Sequence, residues 1–95
     1  MQHPNTIEKI KELMKIFSDG TRLKIIDLLL DNEYCVQDIC YQLNMEQSTI
    51  SHQLKLLRTR NVVRTRRDGK KIFYRLKDEH VRQIYEMARD HVLEC

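Results

Sequence analysis

A chain of 95 residues and 11.5 kDa is long enough for one compact domain and too short for two, so residues 1–95 are expected to form a single domain. Its 41% hydrophobic and 33% charged residues argue against a disordered or fibrous chain. The longest apolar run is short, as at Leu28–Leu30, which excludes a membrane-spanning helix. Three cysteines, without a charged-then-apolar leader at Met1–Pro4, favour a cytoplasmic protein with free thiols or a metal site over a disulfide-stapled secreted module.

Charge is divided unevenly along the chain, whose net charge is +3. Residues 55–77 contain ten lysines and arginines but only one acidic residue, Asp68, whereas the rest of the chain has six more acidic than basic residues. A division of this size within one small domain favours a surface that meets a polyanion, with a solvated basic surface as the alternative.

Four helices are expected first, because apolar residues recur at helical spacing up to residue 59. A break at residues 18–20 separates the first two, and Asp19 or Thr21 can cap the second. Asn44 tolerates a positive φ and fits the left-handed residue that ends the third. The expected ranges are about residues 5–18, the cap to Leu30, 36–43 and 47–59.

Beyond residue 62 the apolar residues alternate with period two, which predicts a β-hairpin over about residues 62–76. Asp68-Gly69 is expected to form its two-residue turn, because both central positions of such a turn favour a positive φ. Apolar side chains should cover one face of the hairpin, and arginines and lysines the other face and the tip. A last helix is predicted over about residues 78–93.

The third and fourth helices, joined by residues 44–46, have the form of a helix-turn-helix, and the basic hairpin has that of a wing. The start of the fourth helix gives only Ile50 and Leu54 to the core, and its remaining side chains are hydrogen-bonding groups suited to base edges in a DNA major groove. The predicted reading residues are Gln47, Ser48, Thr49, Ser51, His52 and Lys55. The wing residues predicted to contact phosphates are Arg64, Arg66, Arg67, Lys70 and Lys71.

Four ordered segments resemble the successive signatures of the ArsR/SmtB family of bacterial repressors. They are residues 18–23 (SDGTRL), 33–39 (EYCVQDI), 47–57 (QSTISHQLKLL) and 67–76 (RDGKKIFYRL). The resemblance implies a mainly α winged helix-turn-helix that forms a homodimer through its first and last helices. It further implies a repressor that leaves its operator DNA when an inducer, commonly a metal ion, binds. Gly20, where the family usually has proline, and Glu46, where a serine or threonine cap is common, depart from the pattern.

The last helix carries a stripe suited to contact with a second copy of itself, since its members are spaced three or four residues apart. The stripe consists of His80, Ile84, Met87, His91 and Glu94. Because a stripe that faced solvent would expose two apolar side chains in its middle, we interpret it as a subunit contact. A neighbouring stripe is expected to pack on the protein's own body beside the first helix. It consists of Val81, Tyr85, Ala88 and Val92.

The polar ends of the first stripe predict a metal site between subunits. His80 and His91 are separated by about three turns, or ~16 Å along the axis, whereas each ligand of a zinc ion lies about 2 Å from it. They can therefore meet only across two antiparallel helices, twice per dimer. The donor set suits tetrahedral zinc, with cobalt as a substitute and nickel less suited, and is similar to the last-helix site of the family's zinc sensors. The predicted ligands, two from each subunit, are Asp78, His80, His91 and Glu94.

The cysteines allow a second site and an alternative function. Cys35 and Asp38 match half of a metal site known in some members of the family, whose other ligands come from the N-terminal arm, where His3 is the candidate. Small buried thiols are the other interpretation of Cys35 and Cys40. The alternatives to zinc sensing are a redox switch that uses Cys35, Cys40 or Cys95 and an interaction module without a DNA role. The sequence has no nucleophile–base pair or phosphate loop that would indicate an enzyme.

Overall fold

A computed structural model describes residues 5–94 of the chain. This part contains five helices and a three-stranded antiparallel sheet with the strand order β1-β3-β2. The elements are α1 Thr6–Ile16, α2 Gly20–Leu28, β1 Tyr34–Cys35, α3 Val36–Leu43, α4 Gln47–Thr59, β2 Val63–Asp68, β3 Lys71–Leu76 and α5 Glu79–Leu93. Of the predicted candidates for a metal or thiol site, His3 and Cys95 lie outside the described residues. Across residues 5–94, no helix has the length and apolar character needed to span a bilayer.

The core lies where α2, α3 and α4 meet the base of the sheet. Each of these helices buries a stripe of aliphatic side chains at helical spacing. The largest fully buried side chains are Ile25, Ile26, Ile39, Ile50, Leu54, Leu57 and Val62. This packing holds the two helices of the helix-turn-helix and the hairpin in one rigid unit.

We expect Ile25→Val to lower the free energy of unfolding by about 0.5–1.5 kcal/mol, because the lost methyl group leaves a small cavity at a fully buried site. The matched control is Ile72→Val on the wing, where the isoleucine is 38% exposed and the loss should be smaller. Thermal and urea unfolding at one protein concentration would measure both. Equal losses in the two variants would contradict the placement of Ile25 in the core.

Local capping explains some of the helix ends. The Asp19 side chain accepts a hydrogen bond of 3.0 Å from the Arg22 N–H, so Asp19 and not Thr21 caps α2. The left-handed Asn44, with φ of 53°, ends α3 as predicted. Glu46 precedes α4 without making a side-chain cap, in keeping with its departure from serine or threonine. The second helix ends at Leu28, two residues earlier than expected.

The hairpin has the expected strands but a different turn. Val63 pairs with Leu76 and Asp68 pairs with Lys71, so the two-residue loop is Gly69-Lys70 and the predicted Asp68-Gly69 turn is wrong. Only the glycine of this loop has a positive φ, of 64°, as in turns that need glycine at the first central position. The alternation of apolar residues does not determine which residue of this segment begins the loop.

A third strand completes the sheet. Tyr34 pairs with Tyr74 and Cys35 with Phe73, which places β1 on the edge of β3 opposite β2. Two residues are too few to show a period-two pattern, so the sequence does not predict this strand.

Both terminal helices leave apolar side chains in solvent. On α1 only Ile16 is buried. On α5 Val81 is buried and Tyr85 half-buried, whereas Ala88 and Val92 are exposed. The predicted packing of this stripe on the body is correct for its first half, although Tyr85 bonds to Asp27 of α2 and not to the first helix. It is wrong for the second half, whose side chains are exposed. The exposed large apolar residues of α1 and α5 are Ile7, Ile10, Met14, Met87, Val92 and Leu93.

Candidate DNA-reading surface and metal centre

The start of α4 presents polar side chains to solvent. Its apolar residues Ile50, Leu54 and Leu57 point into the core, which turns the opposite face of the helix outward. All six predicted reading residues are exposed: Gln47, Ser48, Thr49, Ser51, His52 and Lys55. This is the arrangement that a helix entering a major groove requires, since its side chains must reach base edges.

The wing presents basic side chains on its outer face and at its tip. Arg64 lies directly across from Arg75, and both are exposed. Like charges in directly opposite positions of a sheet repel, and a phosphate that contacts both relieves the repulsion. Together with Lys77, the two arginines line an open cleft of about 690 Å³ between the sheet and the start of α5. Sequence reasoning missed Arg75, although counting outward from the correct turn pairs it with Arg64.

The other predicted wing contacts differ in their surroundings. Arg67, Lys70 and Lys71 are exposed near the tip. Arg66 is instead held by Glu33, since its Nε donates to both carboxylate oxygens at 3.0 and 3.3 Å and a second guanidinium nitrogen also bonds the carboxylate.

The Glu33–Arg66 pair neutralises one wing charge within the protein. The hydrogen bond from Arg66 lowers the pKa of Glu33 below its ordinary value, and the same bond raises the pKa of Arg66. The guanidinium carbon also lies 4.9 Å from the centroid of the Phe73 ring. A phosphate that contacts Arg66 therefore has to compete with Glu33.

We expect Glu33→Gln to steepen the salt dependence of DNA affinity. Without the carboxylate Arg66 can contact a phosphate, and each such contact adds about 0.9 to the slope of log affinity against log salt concentration. Fluorescence anisotropy of labelled DNA over a salt series measures the slope. The matched control is Glu8→Gln, which removes the same charge from an ion pair with Lys11 on α1. A slope that is unchanged, or that changes equally in the control, would argue against competition at Arg66.

The predicted zinc ligands occupy the two ends of α5. Asp78 caps the helix, with Oδ1 accepting from the Val81 N–H at 3.1 Å, and its Oδ2 lies 3.7 Å from Nδ1 of His80. The His80 side chain is 88% exposed, so this carboxylate–imidazole pair faces solvent. His91 and Glu94 lie exposed at the other end of the helix. Within residues 5–94 of the single chain, no group of three or more His, Cys, Asp or Glu side chains lies close enough together to hold a metal ion.

Two of the three candidates for the secondary site are in contact. The Cys35 Sγ donates to Oδ2 of Asp38 at 3.2 Å, at the start of α3. Cys35 is buried and Cys40 half-buried, and both are free thiols. The contact gives the Cys35 thiol a local partner, which also fits the interpretation of a small buried cysteine.

The comparisons with known proteins decide the family. The sequence profile described as "Bacterial regulatory protein, arsR family" matches residues 19–65. The cadmium resistance transcriptional regulatory protein CadC homolog of Staphylococcus aureus is 38% identical over 95% of this chain and 73% of its own length. The chain belongs to the ArsR family. The transcriptional repressor SmtB homolog of Synechocystis is 33% identical over 92% of this ArsR-family chain. The matched region covers 66% of the length of that repressor.

Solved structures confirm the fold of this ArsR-family chain. HlyU from Vibrio cholerae superposes with a TM-score of 0.85 at 31% identity, over 93% of this chain and 96% of that one. The homodimeric winged helix-turn-helix domain Mb0332 from Mycobacterium bovis gives 0.90 at 27% identity, over 98% and 89%. The predicted winged helix-turn-helix is therefore confirmed. The ArsR-family relatives of this chain are transcriptional regulators, which are not enzymes.

In this ArsR-family domain the first half of α5 is anchored to α2. The Tyr85 hydroxyl donates to Oδ1 of Asp27 at 2.8 Å, and the Arg82 guanidinium donates to the Leu30 carbonyl just beyond α2. Burial, followed by the bond to Asp27, raises the pKa of Tyr85 above its ordinary value of 10.0. The shift favours the neutral phenol, so its contribution to stability is present below pH 10 and is lost as pH rises through the raised pKa.

Proposed function

We propose that this chain is a homodimeric, cytoplasmic repressor that releases its operator DNA when zinc, or a similar divalent ion, binds between the last helices of its two subunits. The observation that carries the proposal is the combination on α5 of an exposed apolar surface with a donor pair at each end. Cobalt would bind the same donors, and nickel would suit them less.

The exposed apolar residues of the terminal helices support a homodimer. Ile7, Ile10 and Met14 are 66%, 44% and 45% exposed and share one face of α1, since they lie three and four residues apart, and Met87 on α5 is 72% exposed. We name these residues the terminal-helix face and define it by Ile7, Ile10 and Met14 of α1 and Met87 of α5. A two-fold contact through it would bury the apolar side chains of both helices at once.

The donors at the ends of α5 fit zinc by their chemistry. Imidazole and carboxylate are ordinary zinc ligands, and the exposed pair of Asp78 and His80 is open to approach by a second subunit. In an antiparallel pair of α5 helices, that pair would face His91 and Glu94 of the other copy. Zinc held by these four residues would supply a fixed link between the two helices.

The dimer geometry connects this site to DNA. The angle between subunits sets the distance between the two α4 helices, which must match successive major grooves ~34 Å apart. On each half-site, the exposed residues of α4 would read base edges, while Arg64, Arg67 and the tip lysines contact phosphates. If zinc fixes a subunit angle that does not suit DNA, zinc weakens DNA binding and DNA weakens zinc binding by the same coupling free energy.

The test is a DNA titration of the metal-free protein with and without zinc, using the DNA upstream of its own gene. We expect zinc to weaken binding about 5–150-fold, the usual range for coupled sites. Unchanged affinity would contradict the proposal. The control variant carries serine in place of Cys35, Cys40 and Cys95 and should respond as the wild type does. A response that disappears in this variant would favour the thiol switch.

A further inference from the structure

Arg22 is a contact point between three helices. It lies on α2, and its Nε donates to the Ile16 carbonyl at 2.9 Å while one terminal nitrogen donates to the Lys15 carbonyl at 3.1 Å. Both carbonyls belong to the last turn of α1, where helical N–H donors run out, although the Lys15 carbonyl also accepts from the N–H and the hydroxyl of Ser18. Its other terminal nitrogen donates to Oε1 of Gln53 on α4, also at 3.1 Å. One guanidinium thus joins the end of α1 to the reading helix.

Other links between α1 and α4 are weaker. The ion pair of Glu12 with Arg60 spans 3.9 Å between side chains that are 40% and 51% exposed, and such surface pairs contribute little. Apolar packing of α1 is confined to its end, where Ile16 is buried and Leu13 and Phe17 are partly buried. Arg22 is itself half-buried and makes charge-assisted hydrogen bonds, which are stronger than neutral ones.

Gln53 differs from its neighbours on the reading helix. It is half-buried, whereas Ser51, His52 and Lys55 are exposed, and its amide oxygen is occupied by Arg22. A base-reading glutamine presents both its oxygen and its nitrogen to adenine. The contact with Arg22 removes the oxygen from that role.

We infer that Arg22 is a positioning residue for DNA recognition, which fixes α4 relative to α1 through Gln53. The inference rests on the proposed dimer, because only there does the orientation of α4 against α1 set the separation of the two reading helices. The planar fork of the guanidinium is needed to reach both helices at once, and the single ammonium of lysine cannot reproduce it.

We therefore expect the Arg22–Gln53 contact to affect the separation of the two reading helices and not the overall electrostatic attraction to DNA. Reading helices held at one separation discriminate between operators whose half-sites lie at different distances. Loosening the Arg22–Gln53 contact lets each reading helix shift, which weakens binding at the correct spacing and reduces the penalty at the wrong one.

The test uses metal-free wild type, Arg22→Lys and Gln53→Ala, and two DNA duplexes. One carries the operator upstream of the protein's own gene, and the other has one base pair inserted at its centre. We expect the wild type to bind the first duplex at least about tenfold more tightly than the second. This factor corresponds to the loss of one hydrogen bond to a charged group at the wrong spacing. Both variants should bind the first duplex more weakly and prefer it by less than about threefold, with an unchanged salt slope, since neither variant removes a phosphate-contacting charge.

The matched control is Arg60→Lys, which makes the same charge-conserving change at the weaker link and should keep the wild-type preference. A wild type without spacing preference, or variants that keep it, would overturn the inference. So would a Gln53→Ala variant that loses preference at one base position and keeps its spacing preference. Should Arg22→Lys fail to fold, Gln53→Ala decides alone. Sedimentation separates the two proposals, because a monomeric wild type refutes the proposed dimer, whereas dimeric variants with intact spacing preference refute only the role of Arg22.

Discussion

Replacing His91 by asparagine is expected to abolish the release of DNA by zinc while leaving the affinity of the metal-free protein for DNA unchanged. His91 lies in the last turn of α5 and is not one of the exposed side chains at the start of α4, so its replacement should leave the reading side chains in place. Each proposed site loses one of its two imidazole ligands. Loss of a residue that only supports a ligand lowers metal affinity about 10–100-fold, so loss of the ligand itself should lower the zinc affinity by more than this. Competition with a zinc chelator measures this affinity, and anisotropy of labelled DNA measures release.

The same substitution at another histidine provides the control. His52→Asn changes an exposed residue of the reading helix and should weaken DNA binding while the zinc affinity stays at the wild-type value. The two variants thus separate the two ligands of the protein. If the His91→Asn protein still left its DNA on addition of zinc, the last-helix site would not be the sensor.

Met87→Glu is expected to keep each subunit folded but to prevent dimerisation and weaken DNA binding by about 100-fold or more. The methionine is 72% exposed in the single chain, so a carboxylate there has no cost within the subunit. In the proposed dimer it would be an unpaired charge at an apolar contact. A monomer loses the second half-site, whose tethering contributes about 10²–10⁴ in affinity. Sedimentation and DNA anisotropy measure the two effects.

Ala88→Glu is the matched control, since it adds the same charge to an exposed position of the same helix that lies about 100° further around the axis. It should remain dimeric and bind DNA with close to wild-type affinity. A Met87→Glu protein that sediments as a dimer would show that the subunits meet elsewhere than on the terminal-helix face.

The parts of the fold that sequence predicts are those governed by neighbouring residues. The bounds of α3 and α4 follow from helical spacing and from the tolerance of Asn44 for a left-handed backbone. The exposure of the reading residues follows from the same periodicity, because the burial of Ile50, Leu54 and Leu57 determines which face is left outside. The predicted turn differs from the observed one by one residue because a single glycine fits either register of the loop.

The parts that sequence does not predict depend on contacts between distant segments. Glu33 meets Arg66 from 33 residues away, and Arg22 meets Gln53 from 31 residues away. Neither pair has a periodic signature, since each depends on how complete elements pack. The predicted packing of α5 is partly wrong for a related reason. Its apolar residues repeat evenly along the helix, and only the tertiary structure shows that the first turns pack against the rest of the chain while Ala88 and Val92 are exposed.

A mixed dimer tests most directly whether the zinc ligands come from two subunits. One subunit carries His80→Asn and the other His91→Asn, each with a different affinity tag so that the mixed dimer can be isolated. In the proposed arrangement one of its two sites has lost both histidines, while the other keeps all four ligands. We therefore expect one tightly bound zinc ion per mixed dimer and none in either parent homodimer. A mixed dimer that binds no more zinc than its parents would contradict the account.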